Sequence, residues 1–103
     1  MMFCYFLLLS TGLLVAGNAL ADDALLRKSG CLACHTVDKK LVGPALKDIA
    51  AKYRDVPGAA ATLAKKVRAG GSGNWGTVAM APAPATVSDA DLKAAIAYIL
   101  TLK

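Results

Sequence analysis

Cys31, Cys34 and His35 fall in one pentapeptide, Cys31-Leu32-Ala33-Cys34-His35. Two thiols three positions apart, followed at once by an imidazole, is the spacing that attaches a c-type haem. Each thiol can add across one of the porphyrin's two vinyl groups, and the adjacent imidazole then comes under the iron. His35 is the only histidine of the chain, and Met80 is the only methionine beyond the N-terminal pair Met1 and Met2. An imidazole and a thioether together fill both axial positions of a haem iron, and this sequence offers one candidate for each.

Plainer readings of these residues compete with this one. A structural zinc site wants four Cys or His ligands, and beyond the N-terminal segment only Cys31, Cys34 and His35 are available. A thiol-redox pair would need a βαβ setting, which this helix-patterned chain does not provide. A methionine met at random is usually a core filler. Met80, however, sits in a long segment, Gly73 to Pro84, where Pro82 and Pro84 restrict the backbone and can hold a thioether in one place. Trp75 in the same segment is open to two readings, simple packing or an indole N–H donating to a haem propionate.

The elements that must position these groups come after an apolar leader. Phe3 to Ala16 is an apolar run, and Ala19-Leu20-Ala21 precedes the acidic pair Asp22 and Asp23, so residues 1–21 read as an export signal cleaved after Ala21. An uncleaved membrane anchor is the alternative, and Cys4 lies within that segment. Residues 22–103 then form one small domain. A chain of that size buries little apolar surface by itself and needs a staple. A haem with two covalent bonds to protein would be one.

All charged residues follow Ala21, so the formal net charge of +5 belongs to this domain. Its basic residues are interleaved with Asp38, Asp48 and Asp55 and no nucleic-acid motif accompanies them, which argues against a nucleic-acid partner. The spacing predicts helices separated by Gly/Pro loops, with no alternating strand pattern and no repeat. Asp22 and Asp23 cap a first helix that stops at Gly30. Gly43-Pro44 opens a second, with Leu46, Ile49, Ala50 and Tyr53 on one face and Pro57-Gly58 as its end. A third spans Ala59 to Arg68 and is terminated by Gly70-Gly71. A loop carries Trp75 and Met80 to Val87, and Ser88 with Asp91 forms a capping box for the last helix, striped by Leu92, Ile96, Ile99 and Leu100.

Taken together, Gly30 through His35, Val42-Gly43-Pro44-Ala45-Leu46-Lys47-Asp48, Gly73-Asn74-Trp75-Gly76 with Met80, and Val87-Ser88-Asp89-Ala90-Asp91 resemble the short class I cytochromes c of bacterial periplasms. The resemblance covers nearly all of residues 22–103. It implies an all-α fold of about four helices and Gly/Pro-rich loops wrapped around one covalently bound haem c, with Leu25 and Leu26 packed on Ile96 and Ile99. It implies that the Pro44 carbonyl lies near the His35 Nδ1–H, fixing the imidazole. It also implies that Trp75 and Lys66 contact the haem propionates, Lys66 standing where relatives often carry arginine. Relatives commonly place an asparagine before the Gly-Ser segment to bond the methionine sulfur; this chain has Ala69.

With His35 and Met80 both bound, the iron keeps no open position, which disfavours catalysis at the metal and leaves one-electron transfer. The expected function is a periplasmic, monomeric electron carrier, not an enzyme, between respiratory partners such as a nitrite reductase or terminal oxidase. Two ionised propionates would leave the ferrous protein at about +3, suited to transient docking on acidic faces of periplasmic or membrane-bound partners. Val42, Val78, Ala79, Ala81 and Ala83 are expected around the exposed haem edge. A haem subunit of a larger oxidoreductase, and a gas-binding or peroxidase protein with labile Met80, are the alternatives.

Overall fold

The computed structural model of the chain describes residues 23–103; the expected export signal, Cys4 and the Asp22 cap lie outside them. Four α-helices carry the fold: α1 (Asp23–Lys28), α2 (Leu46–Tyr53), α3 (Ala59–Ala69) and α4 (Asp89–Ile99). A 3₁₀ turn over Cys31–Ala33 follows α1, and a hairpin of β1 (Gly71–Gly73) and β2 (Gly76–Met80) lies between α3 and α4.

α4 is the wall shared by two apolar clusters. Ala95 and Ile99, one turn apart, pack with Leu25 and Leu26 of α1 and Leu46 of α2. Leu92 and Ile96, also one turn apart, pack with Leu63 of α3 and with Val87. Half-buried Ile49 touches both clusters. The expected contact of Leu25 and Leu26 with Ile99 is thus present, whereas Ile96 turns to the other cluster. Successive helix positions are about 100° apart, so Ile96 cannot share the face of Ala95. Ser88 caps α4 as the sequence predicts, its hydroxyl accepting from the Asp91 N–H at 3.1 Å, whereas the Asp91 carboxylate pairs with Lys28 of α1 at 2.9 Å rather than completing the capping box.

Two boundaries differ from the sequence reading. α2 ends at Tyr53, before Pro57-Gly58; the Arg54 guanidinium donates to the Leu102 carbonyl near the C-terminus, and Gly58 serves instead as the N-cap of α3. The segment after Gly70, read as loop, begins as an antiparallel hairpin with Gly71 opposite Met80 and Gly73 opposite Gly76, interrupted by an irregularity between Gly71 and Gly73. Backbone pairing through glycines needs no side-chain alternation, so no period-2 pattern announces it. Gly70, at φ +74°, is required here for a second reason: a Cβ on it would stand 2.6 Å from the Met80 oxygen and 2.8 Å from the Pro82 nitrogen.

Candidate functional site

The backbone of Cys31 builds the first half of the site. Its carbonyl accepts from the N–H groups of Cys34 at 3.3 Å and His35 at 3.0 Å, curling the pentapeptide so that both thiols and the imidazole leave one short turn. Cys31 is half-buried, and loss of hydration pushes its thiol pKa up, against a smaller opposing pull from its own backbone. Cys34 is exposed.

His35 is buried, with 8% of its surface accessible. Its Nδ1 lies 2.7 Å from the Pro44 carbonyl oxygen. A carbonyl can only accept, so Nδ1 carries the proton and Nε2 keeps the lone pair a metal requires. Gly43 packs against the ring so closely that a Cβ there would be 2.5 Å from Cε1. Its N–H donates to the Cys34 carbonyl at 2.8 Å, locking that close approach. The segment is tied to α2 as well, through Leu46 N–H to Thr36 O at 2.8 Å and Lys47 N–H to Val37 O at 3.1 Å.

Met80, the last residue of β2, is half-buried. Trp75 in the hairpin turn is partly exposed, with the Lys52 ammonium of α2 at 4.6 Å from its ring centroid. The same ammonium donates to the Asn74 carbonyl at 3.2 Å. Lys66 is brought not to Trp75 but to the strand start, where Nζ donates to the Gly70 carbonyl at 3.4 Å. Of the expected edge residues, Val42, Val78, Ala79 and Ala81 are exposed, whereas Ala83 is packed against the cluster of Leu63 and Val87.

These residues suit a haem. The exposed large apolar side chains concentrate in the two segments that carry candidate ligands: Leu41 and Val42 beside His35, and Trp75 and Val78 beside Met80. Apolar surface of that extent on a small domain marks a binding face, and a porphyrin is a planar apolar body that would cover it. The donors fit too, an imidazole held through Nδ1, which leaves Nε2 for a metal, and a thioether. Among the described residues no group of three or more His, Cys, Asp or Glu converges to hold a bare ion.

Comparison with known proteins decides the family, for the cytochrome c family model matches residues 15–103. The chain belongs to the cytochrome c family. This cytochrome is 56% identical over 94 residues to cytochrome c-552 of Nitrosomonas europaea, covering 91% of the chain and 90% of that protein. It is 53% identical over 92 residues to cytochrome c-551 of Allochromatium vinosum, with 89% and 97% covered. The crystal structure of wild-type Nitrosomonas europaea cytochrome c552 superposes with a TM-score of 0.74, spanning 80% of this chain and all of that one (100%). A class 1 cytochrome of Sideroxydans lithotrophicus, MtoD, superposes with a TM-score of 0.65 at 28% identity. The all-α class I fold and one covalently bound haem c per chain follow from membership. The cytochrome is an electron carrier and not an enzyme.

Lys52 and Arg68 are the residues that sequence reading passed over. Lys52 is one of several exposed helical lysines, and nothing in its spacing shows that it reaches Trp75. Arg68 looks like an ordinary cation suited to a helix C-terminus, yet its guanidinium makes three hydrogen bonds.

Proposed function

We propose that this cytochrome is a periplasmic one-electron shuttle in which Cys31 and Cys34 form the haem thioethers and His35 and Met80 are the axial ligands. The observation that carries the reading is the imidazole of His35, buried, clamped by Gly43 and bonded through Nδ1 to Pro44 at 2.7 Å. Haem c supplies an Fe(II)/Fe(III) couple. Around it the chain's own groups do three things. Pro44 and Gly43 stop the imidazole from turning, which would keep this ligand in place in both oxidation states and reorganisation small. The Met80 thioether, a soft donor, would favour ferrous iron and raise the potential. Trp75 and Lys66 offer N–H donors for the propionates.

With His35 and Met80 both holding the iron, no ligand position would remain for a substrate, and the exposed Val42, Val78, Ala79 and Ala81 would offer a redox partner a small apolar face. The charge of +5 supports transient docking on acidic faces of respiratory partners such as a nitrite reductase or terminal oxidase. Residues 1–21 as a cleaved export signal place the carrier in the periplasm. Among the described residues no helix is long and apolar enough to cross a membrane.

Met80→Ala tests the ligand set. The ferric variant should lose the far-red absorption band of thioether ligation, bind carbon monoxide in the ferrous state and have a lower potential; an unchanged spectrum and potential would return Met80 to the role of core filler. Steering is tested separately. The second-order rate with an acidic redox protein should fall as ionic strength rises, because exposed charges are screened beyond roughly 10 Å at 0.1 M salt, and a flat rate would leave only apolar docking.

A further inference from the structure

The strand that ends in Met80 continues into residues 81–87, a segment poor in bonds of its own. Pro82 and Pro84 have no N–H to donate, and within the segment the Val87 N–H donates to the Pro84 carbonyl at 3.0 Å. Ala83 and Val87 pack in the cluster of Leu63, Leu92 and Ile96, and the segment's hydrogen bonds to α3 come from two consecutive residues at that helix's end. The Val67 carbonyl accepts from the Ala83 N–H at 2.9 Å. Arg68 does the rest: one terminal nitrogen donates to the Pro84 carbonyl at 3.0 Å, the other to the Val87 carbonyl at 2.7 Å and to Asp89 Oδ1 at 2.8 Å.

We propose that Arg68 is the positioning residue of the Met80 ligand, a three-way clamp that fixes the exit of the Met80 segment to the end of α3. The inference rests on Met80 being the sixth ligand. A thioether is a weak donor, so its hold on iron depends on how little entropy is lost when the segment bearing it is ordered. Upstream, Met80 is already tied to the end of α3 by its pairing with Gly71. Downstream, Arg68 supplies the counterpart, and the planar fork of arginine can satisfy all three acceptors at once where lysine cannot.

The three bonds are not equal. Asp89 is 84% exposed, so its ion pair with Arg68 is screened by solvent and weak. The charge-assisted bonds to the two carbonyls, in a segment without enough N–H groups of its own, are the effective part.

Imidazole displacement of Met80 in the ferric holoprotein, followed through the far-red thioether band, reads this directly. Arg68→Met should bind imidazole about tenfold more tightly than wild type, the loss of roughly one charge-assisted hydrogen bond. Arg68→Lys should fall between, and it keeps the comparison available if Arg68→Met fails to fold. Asp89→Asn should stay within about twofold of wild type. Ile99→Val loosens the other apolar cluster, against Leu25, Leu26 and Leu46, and lowers stability away from the clamp, so its imidazole affinity should not move. The proposal is overturned if Arg68→Met and Arg68→Lys bind imidazole as wild type does, or if Ile99→Val shifts the affinity as far as they do, which would make Arg68 a fold stabiliser only. If Met80→Ala retains the far-red band, the ligand reading itself fails and the clamp falls with it; if Met80→Ala loses the band while the Arg68 variants behave as wild type, the clamp alone is wrong.

Discussion

The segment around His35 takes its shape from bonds made within itself. Gly43 reaches back to Cys34, and His35 reaches forward to Pro44, nine residues on. The segment around Met80 has its own hairpin pairing with Gly71 of β1 but is held further from outside, by Arg68 at the end of α3 and by Lys52 of α2 on the hairpin turn. One ligand is thus built into a closed local turn, and the other hangs between anchors on different helices. Local turns form with little chain closure, whereas distant anchors cost loop entropy and give way first. The methionine side is therefore where ligand exchange should begin, with the histidine side unchanged.

The largest expected effect is at Gly43. Gly43→Ala would place a Cβ 2.5 Å from the His35 ring, and overpacking of that kind costs about 3 kcal/mol. Denaturant unfolding of the holoprotein should show a loss of that size, with holoprotein yield reduced; a midpoint equal to wild type would mean the imidazole has room to move and the closed turn is not rigid.

Gly70→Ala meets the Met80 side. The residue combines a left-handed φ of +74° with backbone atoms at 2.6 Å and 2.8 Å from the new methyl group, for a cost of about 2 kcal/mol. Here the far-red band should fade while the His35-ligated haem remains, as magnetic circular dichroism would show. Simultaneous loss of both ligands would erase the distinction between the two regions.

Ser88→Ala should cost about 1 kcal/mol, the usual worth of an N-cap, read as a lower melting midpoint with the same spectrum. Smallest is Lys52→Gln, which removes a cation over Trp75 and a bond to Asn74. An exposed contact of this type is worth about 0.5 kcal/mol. Trp75 fluorescence should become more mobile by anisotropy, with stability nearly unchanged. An unaltered anisotropy would show that the hairpin turn is held without α2.

Legibility in the sequence follows the same division. Cys31, Cys34 and His35 could be read because the chemistry lies in residue types at short fixed spacing, and the Ser88–Asp91 cap for the same reason; the Pro44 carbonyl came only through the family resemblance. The hairpin could not: Gly71 and Gly73 pair through backbone alone and leave no side-chain period. Arg68 was hidden because its acceptors are backbone carbonyls 16 and 19 residues away, and a carbonyl has no identity in a sequence. Ile96 was read on the correct helix but one position from the face that meets Leu25 and Leu26, since four apolar residues at 92, 96, 99 and 100 do not reveal that Ala95 completes a second stripe.

That second stripe on α4 bears on how the molecule opens. Because Ala95 and Ile99 close one cluster while Leu92 and Ile96 close the other, separating α4 from a single neighbour leaves its other stripe packed. Amide hydrogens in the middle of α4 should consequently exchange only through global unfolding, and at one common rate, whichever of α1, α2 or α3 is destabilised by substitution. The hairpin amides, outside both clusters, should exchange by local opening many times faster, giving two well-separated populations in a mass-resolved exchange experiment.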